Sequence, residues 1–286
     1  MKKILILGSS GLLGCNLVSF FLKKKKYKVI RFIRKKNKNF NNLAYCNDYL
    51  KKNNFDIIIN LSAITNVDEC EQEKYKAKKV NFEIVKNISK IIRLNKLDTF
   101  IIQLSTDQLY NKFEKNNENY KKIMNHYSRT KYLAEKEAIK VNSVILRTNF
   151  FGKSQNINRE SFSDWIFNSL KNNKEINLAD DIFFSPISIK SLCKIIEYII
   201  LKKIIGIFNI GSKDGLSKFQ FGINFANLLK LNINLIKKVS YKKLKFKAKR
   251  PKDMRMQLKK FEQISSTKFK SLQDEIKLVT KEYWLI

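Results

Sequence analysis

The sequence predicts an α/β protein in which helices cover both faces of a doubly wound parallel sheet. Short runs rich in Ile, Val and Leu alternate with longer amphipathic stretches, which is the pattern of parallel strands joined by helices. The first of these runs ends in a glycine-rich turn before an apolar helical stretch. With 286 residues, 44% of them hydrophobic, the chain is long enough for one large domain or two small ones.

Each predicted strand is a short, largely β-branched run, and each predicted helix is longer and amphipathic. The predicted strands are 4–7, 29–33, a weak one at 43–46, 56–61, 99–104, 144–146 and 207–210. The predicted helices are 12–23, 75–94, 127–140 and 189–201. Residues 111–125 are predicted to form a polar, mobile loop, and the regular alternation weakens after Gly152.

The composition argues against a secreted, membrane-spanning or metal-binding protein. Glycines interrupt the apolar opening "MKKILILGSSGLLG", so we interpret it as a strand and not as a signal peptide. No run approaches the ~20 apolar residues that a membrane-spanning helix needs. The cysteines form no CxxC or Cys/His group, so neither a disulfide framework nor a metal site is predicted. We therefore expect a cytoplasmic protein.

The formal net charge of +33 would attract polyanions of any kind. The lysines are spread along the whole chain, so we interpret most of this charge as a solvated surface and expect no specific nucleic-acid partner. One segment, 236–252, carries nine cations and no acid. Leu244, Phe246 and Ala248 alternate with lysines there, which predicts a strand with one solvated face. A phosphate contact is the alternative interpretation of this segment.

The turn "GSSGLLG" places Gly8, Gly11 and Gly14 three residues apart, between a strand and a helix. Glycines at this spacing let backbone N–H groups approach a diphosphate at the positive end of the helix. The turn therefore predicts a Rossmann-like dinucleotide site. Its predicted cofactor-binding residues are Gly8, Ser10, Gly11, Leu12, Leu13 and Gly14.

Two further strand ends contribute to the predicted cofactor site. After the second strand the sequence has Arg31, Arg34 and Lys35 and no carboxylate, which favours NADP(H), with NAD(H) as the alternative. After the strand 56–61, the small side chains of Ser62 and Ala63 would let a flat ring or a ribose lie against the backbone.

The stretch "NHYSRTKYLAE" places Tyr127 and Lys131 four residues apart, on one face of a predicted helix. An ammonium beside a phenol would lower the phenol pKa from its usual value near ~10, which suits an acid that protonates a reduced carbonyl. The strand 99–104 delivers the Thr106 hydroxyl to the edge of the sheet where open α/β folds bind ligands. Together with the glycine turn, these residues predict an active site.

These segments, with "INLSAITNVDECE", "LSTDQLY" and "AKRPKDMRM", resemble the extended short-chain dehydrogenases/reductases, and most closely the dTDP-4-dehydrorhamnose reductase family. The resemblance runs over nearly the whole chain. It implies that Thr106, Tyr127 and Lys131 are catalytic: Thr106 orients the carbonyl, Tyr127 donates the proton and Lys131 holds the cofactor ribose. The implied reaction is NADPH-dependent reduction of a nucleotide-linked 4-keto sugar.

The resemblance also implies a substrate site in the second half of the chain. Asn149 and Phe150 stand where family members commonly have a tryptophan that lines the sugar site, and Arg250 in the basic segment would meet the substrate diphosphate. We expect a dinucleotide-binding domain at 1–150 and a smaller, mainly substrate-binding lobe at 151–286. A strand near 207–210 would return to the main sheet.

Two other functions stay open on the sequence alone. A sugar-nucleotide epimerase of the same fold would normally keep NAD bound, and the lack of an acid after the second strand argues against it. A non-catalytic relative that binds RNA or another polyanion would have no use for Thr106, Tyr127 and Lys131 together. The oligomeric state is also open, a homodimer included.

Overall fold

The computed structural model describes residues 1–33, 39–156 and 158–284. The strands in this part of the chain are β1 (Lys2–Leu7), β2 (Tyr27–Phe32), β3 (Ile57–Asn60), β4 (Phe100–Leu104), β5 (Ser143–Thr148), β6 (Phe150–Phe151), β7 (Ile176–Ala179), β8 (Phe183–Phe184), β9 (Ile187–Ser188), β10 (Gly206–Ile210), β11 (Leu216–Ser217) and β12 (Ile236–Val239).

The α-helices of the described residues are α1 (Leu12–Leu22), α2 (Leu43–Asn53), α3 (Val67–Gln72), α4 (Lys74–Lys78), α5 (Ile84–Leu94), α6 (His126–Ala138), α7 (Phe162–Lys171), α8 (Ile189–Lys202), α9 (Lys218–Leu228), α10 (Lys259–Ser265) and α11 (Leu272–Thr280). A π-helical turn, Lys79–Glu83, joins α4 to α5.

Six strands of the described chain form one parallel sheet in the order β2-β1-β3-β4-β5-β10. The predicted Rossmann-like α/β fold is confirmed. The chain runs outward from β1 to β2 and then returns to the other side of β1 at β3. Open α/β sheets bind ligands at this switch point, outside the carboxyl ends of the strands. The strand expected near 207–210 is present as β10, beside β5.

The two faces of the sheet bury different hydrophobic cores because successive side chains of a strand point to opposite faces. In β1, Ile4 and Ile6 pack in a core with residues of α1 and α8. Leu5 and Leu7 pack in a second core with residues of α2 and α5. Both faces are therefore covered, as expected for a parallel sheet.

A third core lies in the second half of the chain, away from the sheet. Aromatic side chains dominate it, among them Phe151, Phe184, Phe221, Phe225 and Tyr283. Residues from 187–200 and 256–269, however, belong to the core of the main sheet. The chain therefore crosses more than once between the two parts of the molecule, and the domain boundary near residue 150 stays a prediction.

The weak strand predicted at 43–46 is wrong, because these residues begin helix α2. The Asn42 side chain caps this helix by accepting a hydrogen bond from the Tyr45 amide at 2.9 Å. Cys46 and Leu50, four residues apart, are both buried. A short apolar run alone does not distinguish a strand from one buried helix face.

The strand predicted through Leu244, Phe246 and Ala248 is also wrong. The segment forms a 3₁₀ turn at Tyr241–Lys243 and continues without regular structure. The Ala248 amide donates to the Asp68 carboxylate at 2.9 Å, so a side chain, and not a neighbouring strand, satisfies that backbone group.

The polar loop 111–125 is anchored at Asn116, which is buried. The backbone N–H of Asn116 donates to the Arg255 carbonyl at 2.8 Å, and the backbone carbonyl of Asn116 accepts from the Gln257 N–H at 2.9 Å. These bonds tie the centre of the loop to residues 255 and 257, and the mobility of the loop stays a prediction. Within the described residues, no helix is long and apolar enough to cross a membrane.

Candidate active site

A cleft of about 540 Å³ opens at the carboxyl ends of β1, β3, β4 and β5. The backbone there leaves the sheet, so the side chains and amides that follow four different strands meet at one edge. Most of the predicted site residues line this cleft: Gly8, Ser10, Gly11, Leu12, Leu13, Gly14, Ser62, Ala63, Thr106, Tyr127, Lys131, Asn149 and Phe150.

The glycine turn has the geometry of a backbone cradle. Gly8 has a φ of +75°, and a Cβ atom on it would lie 2.9 Å from the Leu61 carbonyl carbon. A Cβ atom on Gly14 would lie 2.2 Å from the Gly8 carbonyl oxygen. Gly11 is the N-cap of α1 and provides no side-chain cap, so the first amides of this helix remain available to an anion. The turn therefore fits the diphosphate of a dinucleotide.

Helix α6 carries the tyrosine and the lysine into the cleft. Its first turn is held by a capping box, in which the Asn125 side chain accepts from the Ser128 amide at 2.8 Å. Tyr127 and Lys131 share the buried face of this helix with Ala134 and Ala138. The small alanines let α6 pack closely, and this brings both functional side chains to the edge of the sheet.

The electrostatics of the pair differ from the expectation. Burial raises the pKa of the Tyr127 phenol, and Thr106, its hydrogen-bond partner, lowers the pKa by less. The Lys131 ammonium donates to the Leu104 carbonyl at 2.6 Å, and Lys131 is not among the groups that shift the pKa of Tyr127. The prediction that Lys131 lowers this pKa is therefore wrong for this structure, because desolvation disfavours the phenolate and Lys131 does not shift this pKa.

The same burial acts on the lysine. Lys131 is 3% exposed, and desolvation lowers its pKa to about 8, against the opposing effect of the Glu135 carboxylate one turn further along α6. At neutral pH most of the lysine population keeps its proton. It can then donate hydrogen bonds to a ligand as well as to the Leu104 carbonyl.

Thr106, Asp107 and Asn149 form a polar group at the far end of the cleft from the glycine turn. The Asn149 side-chain amide donates to Oδ2 of Asp107 at 2.9 Å, and the Thr106 hydroxyl lies 3.4 Å from Oδ1. Asp107 is buried, and desolvation raises its pKa to about 6. The carboxylate and two hydrogen-bonding side chains can thus face one ligand.

The π-helical turn supports the loop after β3. Its Asn81 side chain is buried, accepts from the Ile64 amide at 2.8 Å and donates to the Thr130 hydroxyl at 3.1 Å. This joins the Ser62–Ala63 region to helix α6, and Val80 beside it lines the cleft. A π-helical turn of this kind often marks a functional site.

Two predicted residues lie apart from the cleft lining. Arg31 is exposed near the end of β2, while Arg34 and Lys35 fall outside the described residues. The Arg250 guanidinium pairs with Asp68 at 2.9 Å and lies 4.9 Å from the centre of the Phe246 ring. Arg250 is thus held by Asp68 of helix α3. Val67, the residue before Asp68, lines the cleft.

Sequence reasoning left several lining residues unassigned, among them Thr65, Val67, Asp107, Thr148, Arg159 and Glu160. Asp107 could have been predicted as a site residue, since it directly follows Thr106 at the end of a strand. No sequence pattern identifies Arg159 and Glu160, because they reach the cleft only through the folding of the segment after β6. The Asn156 side chain, for example, donates to the Ser10 carbonyl at 2.8 Å.

The sequence matches the family described as "RmlD substrate binding domain" over residues 1–284. The chain belongs to this family. No curated protein matches the sequence.

Solved structures share the RmlD-like fold over nearly the whole chain. A dTDP-4-dehydrorhamnose reductase from Bacillus anthracis in complex with NADP has a TM-score of 0.90 at 22% identity, covering 99% of this chain and 100% of that one. A Clostridium acetobutylicum dTDP-4-dehydrorhamnose reductase has 0.89 at 23%, covering 99% of both chains. A hypothetical one from Sulfolobus tokodaii has 0.82 at 27%, covering 96% and 99%. They show that the whole chain has this fold.

Proposed function

We propose that the protein reduces the carbonyl group of a nucleotide-linked 4-keto sugar with NADPH. The observation that carries the proposal is the meeting of Thr106, Tyr127 and Lys131 in one cleft with the glycine turn. The relatives named dTDP-4-dehydrorhamnose reductase, one of them solved with NADP, support the reaction class.

The residues of the turn and of the strand ends would hold the cofactor. The amides of Gly11 to Gly14 would bind its diphosphate, Ser62 and Ala63 would contact its flat parts, and the Lys131 ammonium would donate to its ribose. When bound, the cofactor supplies the hydride. The fit rests on the room that Gly8 and Gly14 leave and on the uncapped start of α1.

Tyr127 would protonate the carbonyl oxygen as the hydride reaches the carbon. Its raised pKa keeps the phenol neutral at neutral pH, which is the form that donates a proton. The Thr106 hydroxyl would hold the carbonyl oxygen in place. The resulting phenolate would regain its proton from water.

Arg31 would favour NADPH over NADH, because a cation near the end of the second strand suits the additional phosphate. Arg250 would contact the substrate diphosphate, and for this the guanidinium would have to be shared with Asp68.

The test is incubation of the purified protein with NADPH and a panel of dTDP-, UDP- and GDP-linked 4-keto-6-deoxyhexoses, following loss of NADPH absorbance. We expect oxidation with at least one member and a higher kcat/KM with NADPH than with NADH. Binding of NADPH without turnover of any panel member would refute the reductase proposal. Equal or better use of NADH would refute the role of Arg31.

A further inference from the structure

The segment that follows β6 folds back onto the glycine turn. The Asn156 side-chain amide donates to the Ser10 carbonyl at 2.8 Å, and the Ser19 hydroxyl donates to Oε1 of Gln155 at 2.9 Å. Ser10 lies within the glycine turn, and Ser19 lies on α1, the helix that begins there. The segment is therefore held beside the place where the cofactor diphosphate is proposed to bind.

Asp164, on α7, binds both ends of this segment. Its Oδ2 atom accepts from the backbone N–H of Ser154 and from that of Ser161, both at 3.0 Å. Its Oδ1 atom accepts from the Tyr283 hydroxyl at 2.6 Å, and the carboxylate is buried. One carboxylate thus closes the loop at its base, and the bonds to α1 and to the glycine turn attach it further along.

Arg159 is carried by this segment and lines the same cleft as the glycine turn. Its backbone N–H donates to the Asn156 carbonyl at 2.9 Å, so only two hydrogen bonds separate the arginine backbone from Ser10. Within the described residues, its guanidinium has no ion-pair or hydrogen-bond partner. The neighbouring Glu160 carboxylate instead accepts from the Asn168 side chain at 2.8 Å. The N–H donors of Arg159 are therefore available to a ligand in the cleft.

A free guanidinium at this place suits a diphosphate. It can donate two parallel hydrogen bonds to phosphate oxygens, and its charge favours an anion. The amides at the start of α1 would bind some of the diphosphate oxygens. Because a diphosphate has more oxygens than these amides can bind, a donor from a different segment of the chain can bind the others.

We propose that Arg159 binds the diphosphate of the dinucleotide together with the glycine turn, and that Asn156 is its positioning residue. This inference rests on the proposed function and deepens it. Arg159 differs in role from Arg31, which would act on the additional phosphate of NADP(H). The diphosphate is common to NADP and NAD, so Arg159 would strengthen the binding of both without affecting the choice between them.

Calorimetric titration of the purified protein tests this assignment without turnover. The probes are NADP⁺, NAD⁺, which lacks the additional phosphate, and adenosine 2′-monophosphate, which lacks the diphosphate. Arg159→Met should weaken the binding of both dinucleotides about tenfold, the scale of one hydrogen bond to a charged group, and leave the monophosphate unchanged. Arg159→Lys keeps the charge but loses the paired donors, and it should retain part of the affinity.

Two further variants test the position of the arginine. Asn156→Ala should weaken dinucleotide binding in part, and Arg159→Met should then cost less than in wild type, because the two residues act through one contact. Arg93→Met removes an exposed arginine on α5, outside the cleft lining, and should bind all three probes as wild type does.

The outcomes separate this inference from the reductase proposal. A loss of monophosphate affinity in Arg159→Met would place the guanidinium at the additional phosphate and overturn the diphosphate assignment. Unchanged affinity for both dinucleotides in Arg159→Met would overturn the inference and leave the reductase proposal standing. Failure of wild type to bind either dinucleotide would overturn both.

Discussion

Tyr127 is a buried residue that also lines the cleft. Burial raises its pKa and holds the side chain in one position beside Thr106. A proton donor that is fixed and neutral does not need to reorganise before the transfer. The proposed reaction would thus depend on a single hydroxyl group, which can be removed without changing the shape of the ring.

Tyr127→Phe should lower turnover at least ~10²-fold while the protein still folds, because only the proton donor is lost. The measurement is NADPH oxidation under conditions where wild type is active, with circular dichroism to check the fold. Tyr132→Phe, on the same helix and outside the cleft lining, is the matched control and should keep its activity. Near-normal turnover by Tyr127→Phe would exclude the phenol as donor.

Lys131, by contrast, lowers the stability of the folded state because its charge is buried. Its pKa falls from 10.5 to about 8, so the folded state holds a desolvated charge at neutral pH. This shift corresponds to about 3 kcal/mol, offset by the hydrogen bond to Leu104, about 1 kcal/mol.

Lys131→Met should therefore abolish most activity and yet raise the free energy of unfolding by about 2 kcal/mol at pH 7. The gain should shrink as the pH rises from about 8 to 10.5, because folded wild type then loses its proton while the unfolded chain still holds it. Urea unfolding at several pH values measures this. Lys136→Met, exposed on the same helix, should stay within about 0.5 kcal/mol of wild type. A constant or negative difference would contradict the assignment.

At the scale of elements, helix α6 is fastened to strand β5 by a buried ion pair. The Arg147 guanidinium binds Glu135 with Nε at 2.9 Å and NH2 at 2.7 Å, and both side chains are almost fully buried. NH1 of Arg147 donates to the Tyr110 hydroxyl at 3.0 Å, and the Ser105 hydroxyl donates to Glu135 at 2.5 Å. This network therefore fixes the position of α6 against β5, and with it the positions of Tyr127 and Lys131 in the cleft.

Glu135→Gln should lower the free energy of unfolding by about 3–5 kcal/mol, because the Arg147 charge stays buried without its partner. The double variant Glu135→Leu with Arg147→Met should cost less than this, since it leaves no unpaired charge. Urea denaturation of the two variants measures both. Glu137→Gln, which breaks the more exposed pair with Lys140, should cost only about 0–1 kcal/mol. A loss below 1 kcal/mol in Glu135→Gln would contradict this account.

At the scale of the whole molecule, the two parts are joined by the path of the chain as well as by contact. Met254 packs in the core of the second part, while Met256, two residues later, packs in the core of the main sheet. The chain therefore passes directly from one core to the other at this point.

Unfolding should accordingly be one cooperative transition. The two tryptophans both lie in the second half of the chain, and Trp165 packs against the aromatic core there, whereas far-UV circular dichroism reports on all helices. We expect the urea transitions followed by tryptophan fluorescence and by circular dichroism to coincide. An earlier fluorescence transition would show that the second part unfolds alone.

The sequence by itself determined the sheet and the residues that end its strands. Strands such as 4–7 and 99–104 are buried on both faces, so their continuous apolar runs identify them without knowledge of neighbours. Gly8 and Gly14 are required by local backbone geometry, and the spacing of Tyr127 and Lys131 by the helix repeat. Features that depend on interactions within a few residues can therefore be predicted from the sequence alone.

Only the tertiary structure decided the rest, because those features depend on contacts between distant segments. Residues 43–46 form a helix because Cys46 and Leu50 pack on the sheet. Arg250 pairs with Asp68, which lies 182 positions earlier in the chain. The shifted pKa values of Tyr127 and Lys131 follow from burial. Burial is set by the whole fold, since desolvation depends on every group that excludes water from the site.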